Sequence, residues 1–212
     1  MGTLRALNDI ALEPPYLIIK PFVSEDQFYR EAGEDSDWEY LDGRLVMHSP
    51  ASDRHEDLFR FLLALLSDWL GFTGLGVVRG SRYPMRLDPR WSPEPDLLVV
   101  RTARRHLLGI HRLEGPADLV IEIGSESDPG LDLREKRPRY REAGIEEMWF
   151  VDPFERRVRV ERREAGGYAS ETLASGRLGS TVLPGFWIDV AWLWQEELAP
   201  TLGCVHEILG MS

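Results

Sequence analysis

The chain has 212 residues, enough for one well-buried core, and its 43% hydrophobic and 29% charged content is that of an ordinary globular domain. A net charge of −11 argues against tight, sequence-independent nucleic-acid binding, which needs a basic face, although arginines cluster in RTARRH (101–106), REKRPRYR (134–141) and ERRVRVERR (155–163). The lone Cys204 excludes an internal disulfide and a cysteine-built zinc site. No apolar run reaches membrane-spanning length and the N-terminus lacks a basic-then-apolar leader, so a cytoplasmic location is expected.

Residues 1–23 show little periodicity and contain Pro14–Pro15, which reads as an N-terminal arm. Ser24 with Gln27 three residues later is a capping pattern, and Gly33 is a natural stop, predicting a short helix. In WEYLDGRLVMHS (38–49), Asp42–Gly43 between apolar-rich flanks predicts a two-residue hairpin with Glu39 on its first strand. Leu58, Phe61, Leu62, Leu65, Leu66 and Trp69 recur at helical spacing, predicting a helix over 53–70 ended by Gly71 and Gly74. Strands are expected at 76–81, 84–88 and 97–100, then at LVIEI (119–123) after a basic connector. Asp132, Lys136 and Tyr140 share one face if helical. Pro138 places the regular helix start near 136–138, with a stop at Gly144. A strand at 148–151, a hairpin of 158–163 with 167–173, and the closing segment PGFWIDVAWLW (184–194) complete a single domain over 24–194, followed by a C-terminal tail (195–212). Strands and helices in this order imply a mixed β-sheet flanked by helices, in the α/β to α+β range.

Two acids stand on apolar runs. Asp96 opens LLVV (97–100), and Glu122 lies inside LVIEI, where a glutamate needs a partner. Taken alone, Asp96 reads as a turn residue, Glu122 equally as half of a structural ion pair, and Lys136 as a solvated surface lysine. Together, two carboxylates and a lysine suit Mg²⁺ or Mn²⁺, a water nucleophile and a phosphoryl oxygen. Glu39 would be a further acid of the cluster. His55, in the first turn of the long helix, is either a hydrogen-bonding partner of a bound water or phosphate or a surface residue.

At these residues the sequence resembles the Uma2 (DUF820) family, assigned to the PD-(D/E)XK restriction-endonuclease-like superfamily. The resemblance runs over about 38–153, through EYLDGRLVMHSPASDRH (39–55), PEPDLLVV (93–100), PADLVIEIGSESD (116–128), and D-x-x-x-K-x-x-x-Y followed by AGIEEMWFVDP (132–153). It implies a nuclease-type core with Asp96 and Glu122 as the metal-holding acids of the motif. Lys136 then stands in for the motif lysine, because Gly124 occupies the usual third position. Glu39 and His55 match the family's N-terminal motif. The expectation is therefore a Mg²⁺- or Mn²⁺-dependent endonuclease acting on DNA, with catalytic residues Asp96, Glu122, Lys136, Glu39 and His55. A homodimer is expected too, as many such nucleases pair to cut both strands. The alternative expectation is a catalytically degenerate module of the same fold that binds a protein partner.

Overall fold

The computed structural model describes residues 13–31, 38–80, 82–125 and 132–211. Positions 1–12 of the expected arm and the Gly33 stop lie outside these residues. Strand β1 (Leu17–Lys20) leads into helix α1 (Glu25–Glu31), where the Ser24 hydroxyl accepts from the Gln27 amide as the capping pattern requires. Strands β2 (Trp38–Leu41) and β3 (Arg44–His48) form the expected hairpin. Asp42 and Gly43 turn it with φ of 50° and 75°, the left-handed pair that a tight hairpin turn demands.

Helix α2 (Asp53–Thr73) starts at Ser52, whose hydroxyl caps the amide of His55 at 3.2 Å. It runs through Gly71 and ends at Gly74, which has a φ of 69°. The expected stop at Gly71 is thus corrected: a glycine costs a helix about 1 kcal/mol, which the packing of Trp69 and Leu70 outweighs. Strands β4 (Gly76–Gly80), β5 (Met85–Arg86), β6 (Trp91–Ser92) and β7 (Leu97–Arg101) follow. The expected strand at 84–88 shrinks to two residues. After a 3₁₀ segment (Thr102–Leu107) come β8 (Leu113–Glu114) and β9 (Leu119–Ile123). A π-helical turn (Asp132–Lys136) runs into helix α3 (Arg137–Ala143), with Pro138 in its first turn. The remaining elements are β10 (Glu147–Asp152), β11 (Arg157–Glu164), β12 (Gly167–Leu173), β13 (Arg177–Gly179), β14 (Trp187–Asp189), a 3₁₀ segment (Val190–Trp194) and α4 (Thr201–Leu209).

The main sheet has the order β12-β11-β10-β9-β7-β4 and is mixed, with β9 and β10 parallel and the other neighbours antiparallel. Its two faces are both covered. Leu97, Val99, Leu119, Ile121, Trp149 and Val151 pack under α2, together with Cys204, Val205 and Ile208 of α4. On the other face Leu98, Val100, Val120, Met148 and Phe150 pack with Tyr140 of α3. Period-2 alternation along each strand sorts these sets. A smaller sheet, β1-β3-β2-β6, covers its own cluster of Val23, Phe28, Tyr40 and Leu45. Ion pairs Arg44–Glu135 and Arg86–Glu25 help fasten the N-terminal elements to the rest.

Candidate active site

The site forms where β7, β9, the hairpin and the π-turn converge. The register that sets Leu97 opposite Ile121 brings Asp96 opposite Glu122. Strand alternation turns Glu122 to the same face as Val120, towards α3. The Asp96 amide lies 3.4 Å from Glu122 Oε2, and the Ile123 amide donates to Asp96 Oδ2 at 2.7 Å.

Lys136 reaches this pair from the end of the π-turn. Its Nζ stands 3.3 Å from Glu122 Oε1, 2.9 Å from Glu39 Oε2 and 3.2 Å from Asp132 Oδ1, with the residue only 3% exposed. Glu39 Oε2 also accepts from the Glu94 amide at 3.0 Å, and Glu39 Oε1 lies 3.1 Å from His48 Nε2. Tyr140 donates its hydroxyl to Glu122 Oε1 at 2.5 Å. His55 Nε2 is 3.3 Å from Asp96 Oδ1, while His55 Nδ1 is buried without a hydrogen-bond partner among the described residues. The surface-residue reading of His55 is therefore set aside, since its side chain is 12% exposed and turned to Asp96. All five candidates, Asp96, Glu122, Lys136, Glu39 and His55, belong to one connected network, which lines a hollow of about 420 Å³.

Charge in this network is unevenly matched. Three carboxylates (Glu39, Glu122 and Asp132) lie within 3.3 Å of the Lys136 ammonium, and Asp96 stands next to Glu122. Burial opposes the ionised form of Glu39, but Lys136 and His48 outweigh it and hold its pKa at about 2. Burial pushes Glu122 well above the usual carboxylate range. Lys136 opposes that shift, while the charges of Asp132, Asp96 and Glu39 add to it. Asp132 is raised by burial and the same neighbours. Burial alone would discharge Lys136, yet the carboxylates of Glu122, Glu39 and Asp132 hold its pKa well above normal. His55 is likewise raised, because Asp96 outweighs its burial.

Among the described residues no three His, Cys, Asp or Glu side chains stand together as ligands for one ion. The donor set nevertheless fits a hard divalent cation. Asp96 and Glu122 offer hard oxygens on adjoining strands within an over-acidic pocket, and Mg²⁺ needs only one or two protein carboxylates. Each Asp96 oxygen has one hydrogen-bonding partner, His55 or Ile123, and keeps a lone pair; on Glu122 both oxygens also face Lys136, so an ion there would take the place of that contact.

Asp132, Tyr140 and His48 are members of the network that the candidate set omitted. The D-x-x-x-K-x-x-x-Y spacing was the visible signal for the first two, and it carries across the junction of π-turn and helix. His48 had no spacing signal; it reaches Glu39 only because the hairpin pairs its strands.

The family model described as "Uma2: Putative restriction endonuclease" matches residues 25–191. The chain belongs to the Uma2 family. Its fold is similar to the crystal structure of a protein described as a putative nuclease belonging to DUF820 from Anabaena variabilis ATCC 29413. The TM-score is 0.69 at 15% identity, covering 81% of this chain and 97% of that one. No curated protein matches the chain. The restriction-endonuclease-like α/β architecture expected from the sequence is thus the observed one, and no described helix is long and apolar enough to cross a membrane.

Proposed function

We propose that this Uma2 chain is a divalent-metal-dependent endonuclease that hydrolyses DNA phosphodiester bonds. The observation that carries the reading is the buried Lys136 ammonium 3.3 Å from Glu122, on the face where Glu122 lies opposite Asp96. Asp96 and Glu122 would hold Mg²⁺ or Mn²⁺. Such an ion supplies charge neutralisation at the phosphoryl oxygen and makes a water acidic enough to attack. The protein groups divide the remaining work. The Ile123 amide and His55 fix the Asp96 carboxylate, and Tyr140 orients Glu122. Glu39 keeps Lys136 charged, so that its ammonium can orient the water or stabilise negative charge developing on the phosphate.

Cleavage of plasmid DNA with Mg²⁺ or Mn²⁺ tests this in wild type, Asp96→Ala and Glu122→Ala. Undiminished cleavage by both purified variants would overturn the assignment. Cutting both strands of a duplex calls for two sites, so a homodimer is part of the reading; a monomer by light scattering at micromolar concentration would remove that part. The single buried Cys204 suits a cytoplasmic location, which fractionation would check.

A second reading is a non-catalytic module that binds a protein partner. One observation favours it: the oxygens of Asp96 and Glu122 already accept from Ile123, His55, Lys136 and Tyr140. Absence of both Mn²⁺ affinity and cleavage in the wild type would select it.

A further inference from the structure

Glu122 lies at one end of a row of side chains that crosses the main sheet. Strand register sets Glu122 against Phe150, Phe150 against Arg159, and Arg159 against Thr172. Facing residues on neighbouring strands point to the same side of a sheet, so the row shares the α3 face. Two strand spacings of about 4.8 Å separate Glu122 from Arg159, roughly 10 Å in all.

Along this row opens a second hollow of about 410 Å³, which shares Glu122 and Asp132 with the first. Its lip is apolar where the neighbouring hollow is charged. Phe154 is 52% exposed and Leu133 38% exposed. The backbone at Phe154 is anchored, since its amide and that of Glu155 both donate to Asp152 Oδ1, at 3.1 and 3.0 Å. The Phe154 ring is thus half-exposed, on an anchored turn, at the edge of the hollow.

The far side of the hollow is cationic. Arg159 lies 3.1 Å from the buried Glu161, which also takes Arg137 and Arg141. Of the groups lining the hollow, Arg157 and Arg159 are the cations, set against the carboxylates of Glu122, Asp132, Asp152 and Glu155. Arg157, half-exposed, pairs with Asp152 at 3.3 Å.

We propose that this second hollow is a subsite for one unstacked nucleotide of a single strand, adjoining the phosphate to be cut. Its base stacks on Phe154, and its phosphate meets Arg159 and Arg157. The proposal rests on the nuclease reading for the neighbouring phosphate. A volume near 410 Å³ falls at the lower end of small-ligand pockets, which span ~300–1,000 Å³. Intact duplex keeps its bases stacked and out of reach of Phe154, so the subsite favours single-stranded ends, flaps or frayed segments.

The test is fluorescence anisotropy with a short labelled oligothymidylate and a blunt duplex of equal length, in EDTA so that nothing is cleaved. Wild type is expected to bind the single strand more tightly than the duplex. Phe154→Ala should weaken single-strand binding about tenfold and Phe154→Trp should retain it, as for other base–aromatic stacks. Arg157→Gln should lower the log–log salt slope for the single strand by about 0.7. Phe154 is on the surface, so an unchanged melting temperature would confirm that its variants fold. Failure of the wild type to bind the single strand, or wild-type binding by both Phe154→Ala and Arg157→Gln, would overturn the proposal. Because binding is read without metal, inactive protein leaves this result standing. Conversely, metal-dependent cleavage that is identical on single strands for wild type and Phe154→Ala would remove the subsite and keep the nuclease.

Discussion

Tyr140 and Glu122, both buried, meet through a hydrogen bond of 2.5 Å that joins α3 to β9. The phenol directs Oε1 and leaves Oε2 to the Asp96 amide, while Lys136 lies against both oxygens at 3.3 and 3.4 Å. Burial and the adjacent Glu122 charge push the Tyr140 pKa well above that of a free phenol, so it stays a donor at any working pH. Tyr140→Phe should cost about 1–3 kcal/mol of stability and weaken Mn²⁺ binding. Urea denaturation and calorimetry measure the two effects; wild-type values for both would show that the bond does not position Glu122.

Lys136 places one buried ammonium among the carboxylates of Glu39, Glu122 and Asp132. Removing one partner of a buried charge cluster usually costs about 3–5 kcal/mol, because the others are left uncompensated. Lys136→Met should therefore be strongly destabilised, and Lys136→Met/Glu39→Gln should recover part of the loss. Additive effects in a double-mutant cycle would contradict direct coupling of the two residues.

The pH dependence follows from opposite shifts. Glu122 is raised, so the folded state binds more protons than the unfolded one above the ordinary value of 4.5. Its contribution thus turns against folding as pH climbs from there through the folded pKa. Glu39 is lowered to about 2, so its stabilisation is present above 4.5 and lost as pH falls towards 2. Melts across pH should show Glu122→Gln gaining on wild type as pH rises above 4.5. Glu39→Gln should lose ground on wild type as pH rises from about 2 to 4.5 and hold a constant deficit above that. A Glu122→Gln difference independent of pH would refute the raised carboxyl.

The same shift predicts proton release on metal binding. A divalent ion needs the Glu122 carboxylate ionised, so Mn²⁺ affinity should strengthen as pH rises. Calorimetry in two buffers of different ionisation enthalpy should detect the released proton. Heats identical in both buffers would mean that Glu122 is already charged.

Gly124 stands where the motif usually carries its lysine, and a Cβ there would meet Val151 O at 3.5 Å and a Pro153 carbon at 3.6 Å, both ordinary contacts. A lysine at 124 would emerge on the same strand face as Glu122. Gly124→Lys should restore part of the cleavage lost in Lys136→Met, read on plasmid DNA, whereas no recovery in a folded double variant would tie the role to Lys136's own approach.

Several of these features were legible before folding. The Asp42–Gly43 turn, the apolar stripe of α2 and the alternation of LVIEI are local signals, each stated by adjacent residues. Asp96, Glu122 and Lys136 were visible as acids and a base at telling places, and the family resemblance ordered them. Less was legible where an element is too short for periodicity, as with Trp91–Ser92 and Leu113–Glu114, or where packing overrides propensity, as at Gly71. His48 on Glu39 and Arg44 on Glu135 depend on strand pairing and docking that no single segment encodes.

By itself the sequence determined the elements, the faces they bury and the residue types available for chemistry, because helix and strand periods sort side chains within each segment. The tertiary structure alone decided the charge states, and which of the hollows meet at Glu122. Burial and Coulomb interactions act over a few ångströms, and those distances exist only once the hairpin, β7, β9, the π-turn and α3 have closed on one another.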